Sequence, residues 1–181
     1  MNQSKINEFF FGKKHSFVDK TDKTDETVES DGRDCSLETL ESLGNLGSQK
    51  DYVLFFDGCS KGNPGVAGAG ACLCENENEI WFQTMFVGDH ETNNVAEYCG
   101  LIIGLEEVVR RNIQEITIKG DSELIIKQMR GEYKVKAPNL KELHKKAMEL
   151  SKKIRKTTFL HIYRHFNQRA DELSNEALVK S

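Results

Sequence analysis

The stretch LFFDGCSKGNPGVAGAG, residues 54–70, decides the reading of this chain. An apolar run, Val53 to Phe56, ends in Asp57, and small residues fill Gly65 to Ala71. The run predicts a buried strand, YVLFFDG, closed by Asp57. Gly62-Asn63-Pro64-Gly65 suits a type II turn with proline second and glycine third. The small residues predict a strand packed closely against helices. No G-K-[ST] follows them, so they are not a phosphate loop. A carboxylate at the mouth of a core strand is costly unless a partner offsets it.

Working outward, VAGAGACLCE and EIWFQTMFVG read as two further strands joined by a hairpin turn at Asn76 to Asn78. NNVAEYCGLIIGLEEVVRRN (93–112) is helical, with Tyr98, Leu101, Ile102, Leu105 and Val109 at the helix period. EITIKG is a short strand, and SELIIKQMRGEY a helix broken near Gly131. NLKELHKKAMELSKKI (139–154) is a helix started by Pro138 or Asn139. TTFLHIYRHF (157–166) reads as a strand, and NQRADELSNEALVK as a final helix capped by Asn167. The order βββ-α-β-αα-β-α predicts an α/β fold: a mixed sheet with helices packed on it.

The first 50 residues differ. VDKTDKTDETVESDGRD (18–34) is charged and has no apolar period, which predicts a disordered tail. LETLESLGNL (37–46) carries a weak helical pattern. The 181 residues carry a net charge of −4 and no run of 18 apolar residues, which excludes a polycation and a membrane-spanning helix. The N-terminus lacks a secretory pattern. Five cysteines (35, 59, 72, 74, 99) without a C-x-x-C pair predict free thiols in a reducing, intracellular compartment.

Four carboxylates occupy special places. Asp57 and Asp121 fall at strand ends; Glu97 and Asp171 fall in the first turns of helices. Each has an ordinary explanation alone: a turn aspartate, an N-cap, or a favourable charge at a helix N-terminus. In an α/β sheet, however, strand C-termini and the following helix N-termini gather at one edge, where ligands bind. Four acids there would resist ionisation together. Two divalent cations would remove that conflict and suit an in-line phosphoryl displacement.

FDGCSKGNPGVAGAG, TNNVAEYCGL, GDSELIIKQMRGEYKVKAPNL and RHFNQRADELSNEAL together resemble type 1 ribonuclease H across nearly all of residues 51–180. The resemblance implies a ribonuclease H-like fold, with a five-stranded mixed sheet flanked by helices. It also implies a monomeric endoribonuclease that cuts the RNA strand of RNA/DNA hybrids, leaving 5′-phosphate and 3′-hydroxyl ends. Its acidic quartet falls on Asp57, Glu97, Asp121 and Asp171, which would hold two Mg²⁺ or Mn²⁺ ions. Hybrid contacts are expected from Cys59 and Ser60, from Asn93 and Asn94 in a minor groove, from Thr92 on a DNA phosphate, and from Gln128.

Two features depart from that pattern. A short connection, MRGEYKVKAPNL, stands where many members carry a long basic protrusion. Residues 119–156 nevertheless hold 12 Lys+Arg against 5 Asp+Glu, an excess suited to tracking phosphates. The loop before the last acid is the compact RHFNQRAD form, which leaves His165 at a strand end with a structural or phosphate contact.

The chain opens MNQSKINEFFFGKK, and three phenylalanines in a polar tail call for a partner. Gln3, Ile6, Phe9 and Phe10 resemble the peptide that docks on the sliding clamp, proliferating cell nuclear antigen. One helical turn would join Ile6, Phe9 and Phe10 into a single plug. The expected organisation is a clamp peptide at 1–14, a disordered linker at 15–50 and a catalytic domain at 51–181. The process implied is DNA replication or hybrid removal, in the nucleus if the source is a eukaryote. Two alternatives stand: a hybrid-binding adaptor without catalysis, which the intact quartet argues against, and a retroelement ribonuclease H, which the clamp peptide argues against.

Overall fold

The apolar run of YVLFFDGCSK forms β1 (Tyr52–Lys61), the central strand of the sheet, with Leu54 and Phe56 fully buried. The computed structural model describes residues 50–179. The clamp-peptide positions Gln3, Ile6, Phe9 and Phe10 and the linker lie outside them. β2 (Gly65–Glu75) and β3 (Asn78–Glu91) complete an antiparallel meander, turned at Asn76 and Glu77 with φ of 48° and 70°. Positive φ at both central residues is what a tight hairpin between twisted strands needs. α1 (Asn93–Arg110) crosses over to β4 (Glu115–Gly120), which pairs parallel to β1. α2 (Glu123–Met129) and α3 (Pro138–Ser151) follow, then β5 (Lys156–His161), parallel to β4. A 3₁₀ turn (Arg164–Phe166) leads into α4 (Gln168–Glu176). The sheet order is β3-β2-β1-β4-β5, the expected five-stranded mixed sheet.

Helices cover both faces, and the small residues are the reason they can. A Cβ on Gly58 would lie 2.1 Å from the Glu97 nitrogen, so α1 rests directly on the β1 backbone. On the other face a Cβ on Gly70 would lie 2.5 Å from Leu173 Cβ, which seats α4 on β2. The glycine–alanine stripe is therefore packing surface, as its composition predicts.

Several boundaries differ from the sequence reading. Asp57 does not close β1, because pairing with β2 continues from Asp57–Gly70 to Lys61–Val66. The turn beyond is not type II: Gly62 and Asn63 carry the positive φ, the Asn63–Pro64 bond is cis, and proline sits one place later than in a type II turn. β5 stops at His161 because its partner β4 ends at Gly120; the rest of the expected strand becomes the 3₁₀ turn. α2 ends where anticipated, with Gly131 at φ +77° and two N–H groups returning to the Lys127 carbonyl.

Candidate active site

The parallel register between β1 and β4 pairs Phe55 with Lys119; two residues further along each chain stand Asp57 and Asp121. Glu97 is the fifth residue of α1, brought over them because the helix lies on Gly58. One carboxylate oxygen from each of Asp57, Glu97 and Asp121 falls within 4.8 Å of the others. They border a polar cleft of about 380 Å³ that also takes in Asn93, Ser122 and Arg164. A second cavity, about 360 Å³, opens at the opposite end of the strands beside Tyr52 and Glu115 and contains none of the four acids.

Asp171 stands apart from the other three. It sits in the first turn of α4, as expected, but its carboxylate is ion-paired with the Arg164 guanidinium. Three of the four predicted acids therefore converge, and the fourth is held beside them. Its charge still reaches the centre, adding to the upward shift of Asp57.

The electrostatics follow from burial. Asp57 is 5% exposed, and desolvation pushes its pKa up to about 7, reinforced by Asp121 and Asp171. Ser174 Oγ, 2.5 Å from Asp57 Oδ2, and the Arg164 charge pull the other way. Glu97 is raised well above the carboxylate range, first by burial and then by Asp57 and Asp121; the Gly58 N–H and Arg164 oppose this. Glu97 Oε1 accepts a long bond from Asn93 Nδ2 at 3.5 Å, while Oε2 is buried with no hydrogen-bond partner. A buried, unpartnered carboxylate oxygen beside two more carboxylates is the donor set a hard divalent cation takes. These residues fit such ions on chemistry alone.

The expected nucleic-acid contacts divide. Thr92 is the N-cap of α1, its Oγ1 accepting from the Val95 N–H at 3.4 Å, so the capping role belongs to it and not to Asn93 or Asn94. Asn93 borders the cleft, and its N–H donates to Asn63 Oδ1; Asn94 is half-buried next to it. Cys59 and Ser60 line the cleft with their side chains turned inward, donating to the carbonyls of Ser174 and Glu91. Gln128 is not a surface residue: it is 5% exposed and accepts the Tyr98 hydroxyl at 2.7 Å. His165 lies on the 3₁₀ turn and not on a strand end.

Sequence reasoning missed three supporting side chains. Ser174 follows Asp171 by three residues, a helical spacing that puts both on one side of α4, and its hydroxyl reaches Asp57 on β1. Arg164 precedes Asp171 by seven, across an irregular turn, and nothing local marks the pair. Asn167 has the residue type of a cap but makes no capping bond; its Nδ2 donates to Asp121 Oδ1 at 2.7 Å and to the Phe56 carbonyl at 2.9 Å. It thereby ties the start of α4 to β1 and to the acid that follows β4.

A 3-2-1-4-5 mixed sheet carrying acids on β1, after β4 and on the two flanking helices defines a ribonuclease H-like protein. The chain belongs to that family: the Reverse transcriptase-like family model matches residues 55–177, and a ribonuclease H of Pseudomonas fluorescens is 34% identical over 142 residues, 88% of its length. A bifunctional protein of Mycobacterium tuberculosis is 38% identical over 127 residues, which is 70% of this chain and 35% of that protein. Ribonuclease HI of Halobacterium salinarum is 37% identical over 124 residues, covering 68% and 62%. The chain thus spans only about a third of the length of the mycobacterial relative. Among solved structures, ribonuclease H1 of Halobacterium salinarum superposes with a TM-score of 0.68 at 34% identity, covering 72% of this chain and 99% of that one. LC11 ribonuclease H1 in complex with an RNA/DNA hybrid gives 0.67 at 39% identity, covering 72% and 98%. No described helix is long and apolar enough to cross a membrane.

Proposed function

We propose that this chain is a type 1 ribonuclease H that hydrolyses the RNA strand of RNA/DNA hybrids. The observation that carries the proposal is the unpartnered Glu97 Oε2, buried on a carboxylate that clusters with those of Asp57 and Asp121, one oxygen of each within 4.8 Å of the others. Two Mg²⁺ or Mn²⁺ ions would supply Lewis acidity for an in-line phosphoryl displacement. Asp57, Glu97 and Asp121 would hold them, and Asp171, now paired with Arg164, would complete the set. Ser174 fixes the Asp57 rotamer, and Asn167 does the same for Asp121. Arg164, freed from Asp171, offers a guanidinium to a phosphate oxygen at the cleft. Thr92, Asn93, Asn94 and the backbone at Cys59 and Ser60 receive the two strands; buried Gln128 is left out. The solved relative bound to an RNA/DNA hybrid supports the substrate class.

The proposal extends to recruitment by a sliding clamp through Gln3, Ile6, Phe9 and Phe10, on the strength of their spacing. The test of the enzyme is a duplex with one end-labelled RNA strand paired to DNA. The natural chain is expected to cut the RNA with Mg²⁺ and not with chelator, while Asp121→Asn binds without cutting. Cleavage by Asp121→Asn would refute the acid assignment. Tight binding by the natural chain without cleavage would instead establish a hybrid-binding adaptor.

A further inference from the structure

Beyond the acids, the least explained feature is a row of four exposed rings that starts at the cleft. His161 ends β5, with its Nε2 3.2 Å from the Asp121 carbonyl. Its ring meets Tyr163 edge-on at 6.3 Å between centroids. Tyr163 lies parallel to His165, with 5.9 Å between centroids and 7° between planes. His165 in turn packs on Phe166 at 3.9 Å. Tyr163 is 71% exposed and Phe166 65%, the two most exposed large aromatic side chains among the described residues. Aromatic rings left in water contribute nothing to the core, and grouped in a row they mark a surface built for a ligand.

The row is held rigidly. The Ile162 N–H donates to the Gly120 carbonyl, the Phe166 N–H to Tyr163 and the Asn167 N–H to Arg164. The Asn167 side chain then anchors the turn to Phe56 and Asp121. The same turn carries Arg164, whose guanidinium lines the cleft and pairs with Asp171. A strand leaving the cleft on this side therefore runs onto these rings, carried on a backbone that is pinned to the site.

We propose that His161, Tyr163, His165 and Phe166 form a stacking platform for unpaired nucleobases that continue from a duplex lying at the acidic cleft. Each base has a π-face, so such a platform accepts any sequence, and it favours single strands because paired bases are already stacked. The inference deepens the proposed function: it assigns preferred substrates in which a hybrid passes into a single-stranded tail. RNA and DNA tails share this chemistry.

The test uses the full chain with Asp121→Asn to prevent cleavage, in Mg²⁺, and hybrids bearing 2-aminopurine in an RNA tail or a DNA tail. Binding is expected to quench the probe, and Tyr163→Leu with Phe166→Leu to abolish the quench and weaken tailed substrates about tenfold. With Asp121 intact, the same pair of substitutions should leave cleavage of blunt hybrid and the thermal melting of the protein unchanged. Loss with only one tail type identifies the strand. Equal weakening on blunt and tailed hybrids, or none on either, overturns the platform. Quenching of a tailed strand by a natural chain that cuts no hybrid would sustain the platform while refuting the proposed hydrolysis.

Discussion

Asp57→Asn should stabilise the metal-free protein, and by an amount that depends on pH. Asp57 titrates at about 7 in the folded chain against an ordinary value of 3.8, chiefly because it is buried and secondarily because Asp121 and Asp171 are near. A raised acid binds more protons folded than unfolded between those two values, so stability falls as pH rises through that window and levels off above it. That rise corresponds to about 4 kcal/mol at pH 8 and about 2 kcal/mol at pH 5. The carboxamide keeps an acceptor for Ser174 Oγ, fills the same volume and carries no charge. Its neutrality also relieves Glu97, whose upward shift owes part of its size to Asp57. The expected gain in chelator is therefore about 4 kcal/mol at pH 8, or about 12 °C in Tm, and about half of that at pH 5. Saturating Mg²⁺ should narrow or reverse the gap, since a cation bound by the natural chain stabilises only the folded state. The assay is a set of circular-dichroism melts from pH 5 to 8, in chelator and in Mg²⁺. A gain independent of pH, or none at pH 8, would refute the account of Asp57 as a buried charge awaiting a partner.

Gly58→Ala should cost about 3 kcal/mol or more and displace Glu97, because its Cβ would stand 2.1 Å from the Glu97 nitrogen and 2.2 Å from the Ala96 carbonyl carbon; an unchanged urea midpoint would show that α1 does not rest on β1 as described. Arg164→Ala removes a charge that lowers both Asp57 and Glu97, so the acidic limb of the pH–rate profile should move to higher pH while maximal cleavage falls; a limb that stays in place would show that the guanidinium is not felt at the acids. Tyr98→Phe leaves buried Gln128 Oε1 without its donor and should cost about 1 kcal/mol, read from chemical unfolding, with cleavage of blunt hybrid unaltered. Phe9→Ala with Phe10→Ala should abolish capture by a sliding clamp and leave cleavage of naked hybrid intact; undiminished capture would sink the peptide assignment.

What could be read from the sequence, and what could not, divides along the range of the interactions. β1, α1 and the hairpin at Asn76 are written in local period and turn chemistry, so runs such as VLFF and the helix spacing from Tyr98 to Val109 locate them. The helix break at Gly131 is equally local, because glycine alone readily takes φ of +77°. The length of β1 is not local: only its partner β2 decides that pairing runs on to Lys61. The burial of Gln128 is not local either: its partner, Tyr98, is 30 residues away on another helix. Asn167 has the chemistry of a cap, but Asp121 and the Phe56 carbonyl compete for its amide and win.

The candidate site follows the same division with one consequence for its chemistry. Resemblance places all four acids, but folding distributes their charge unequally. Glu97 is shut in with an empty acceptor, Asp57 is half-titrated near neutrality, and Asp171 is drawn off by Arg164. All three are responses to one constraint, the repulsion of carboxylates packed where water cannot screen them. The strain appears as a raised acid, an orphaned oxygen and a borrowed counter-ion. Arg164 is then more than a neighbour. It neutralises the fourth acid at the rim of the cleft, and in the proposed reading Asp171 would turn inward to complete the acidic set, leaving the guanidinium free to meet a substrate phosphate.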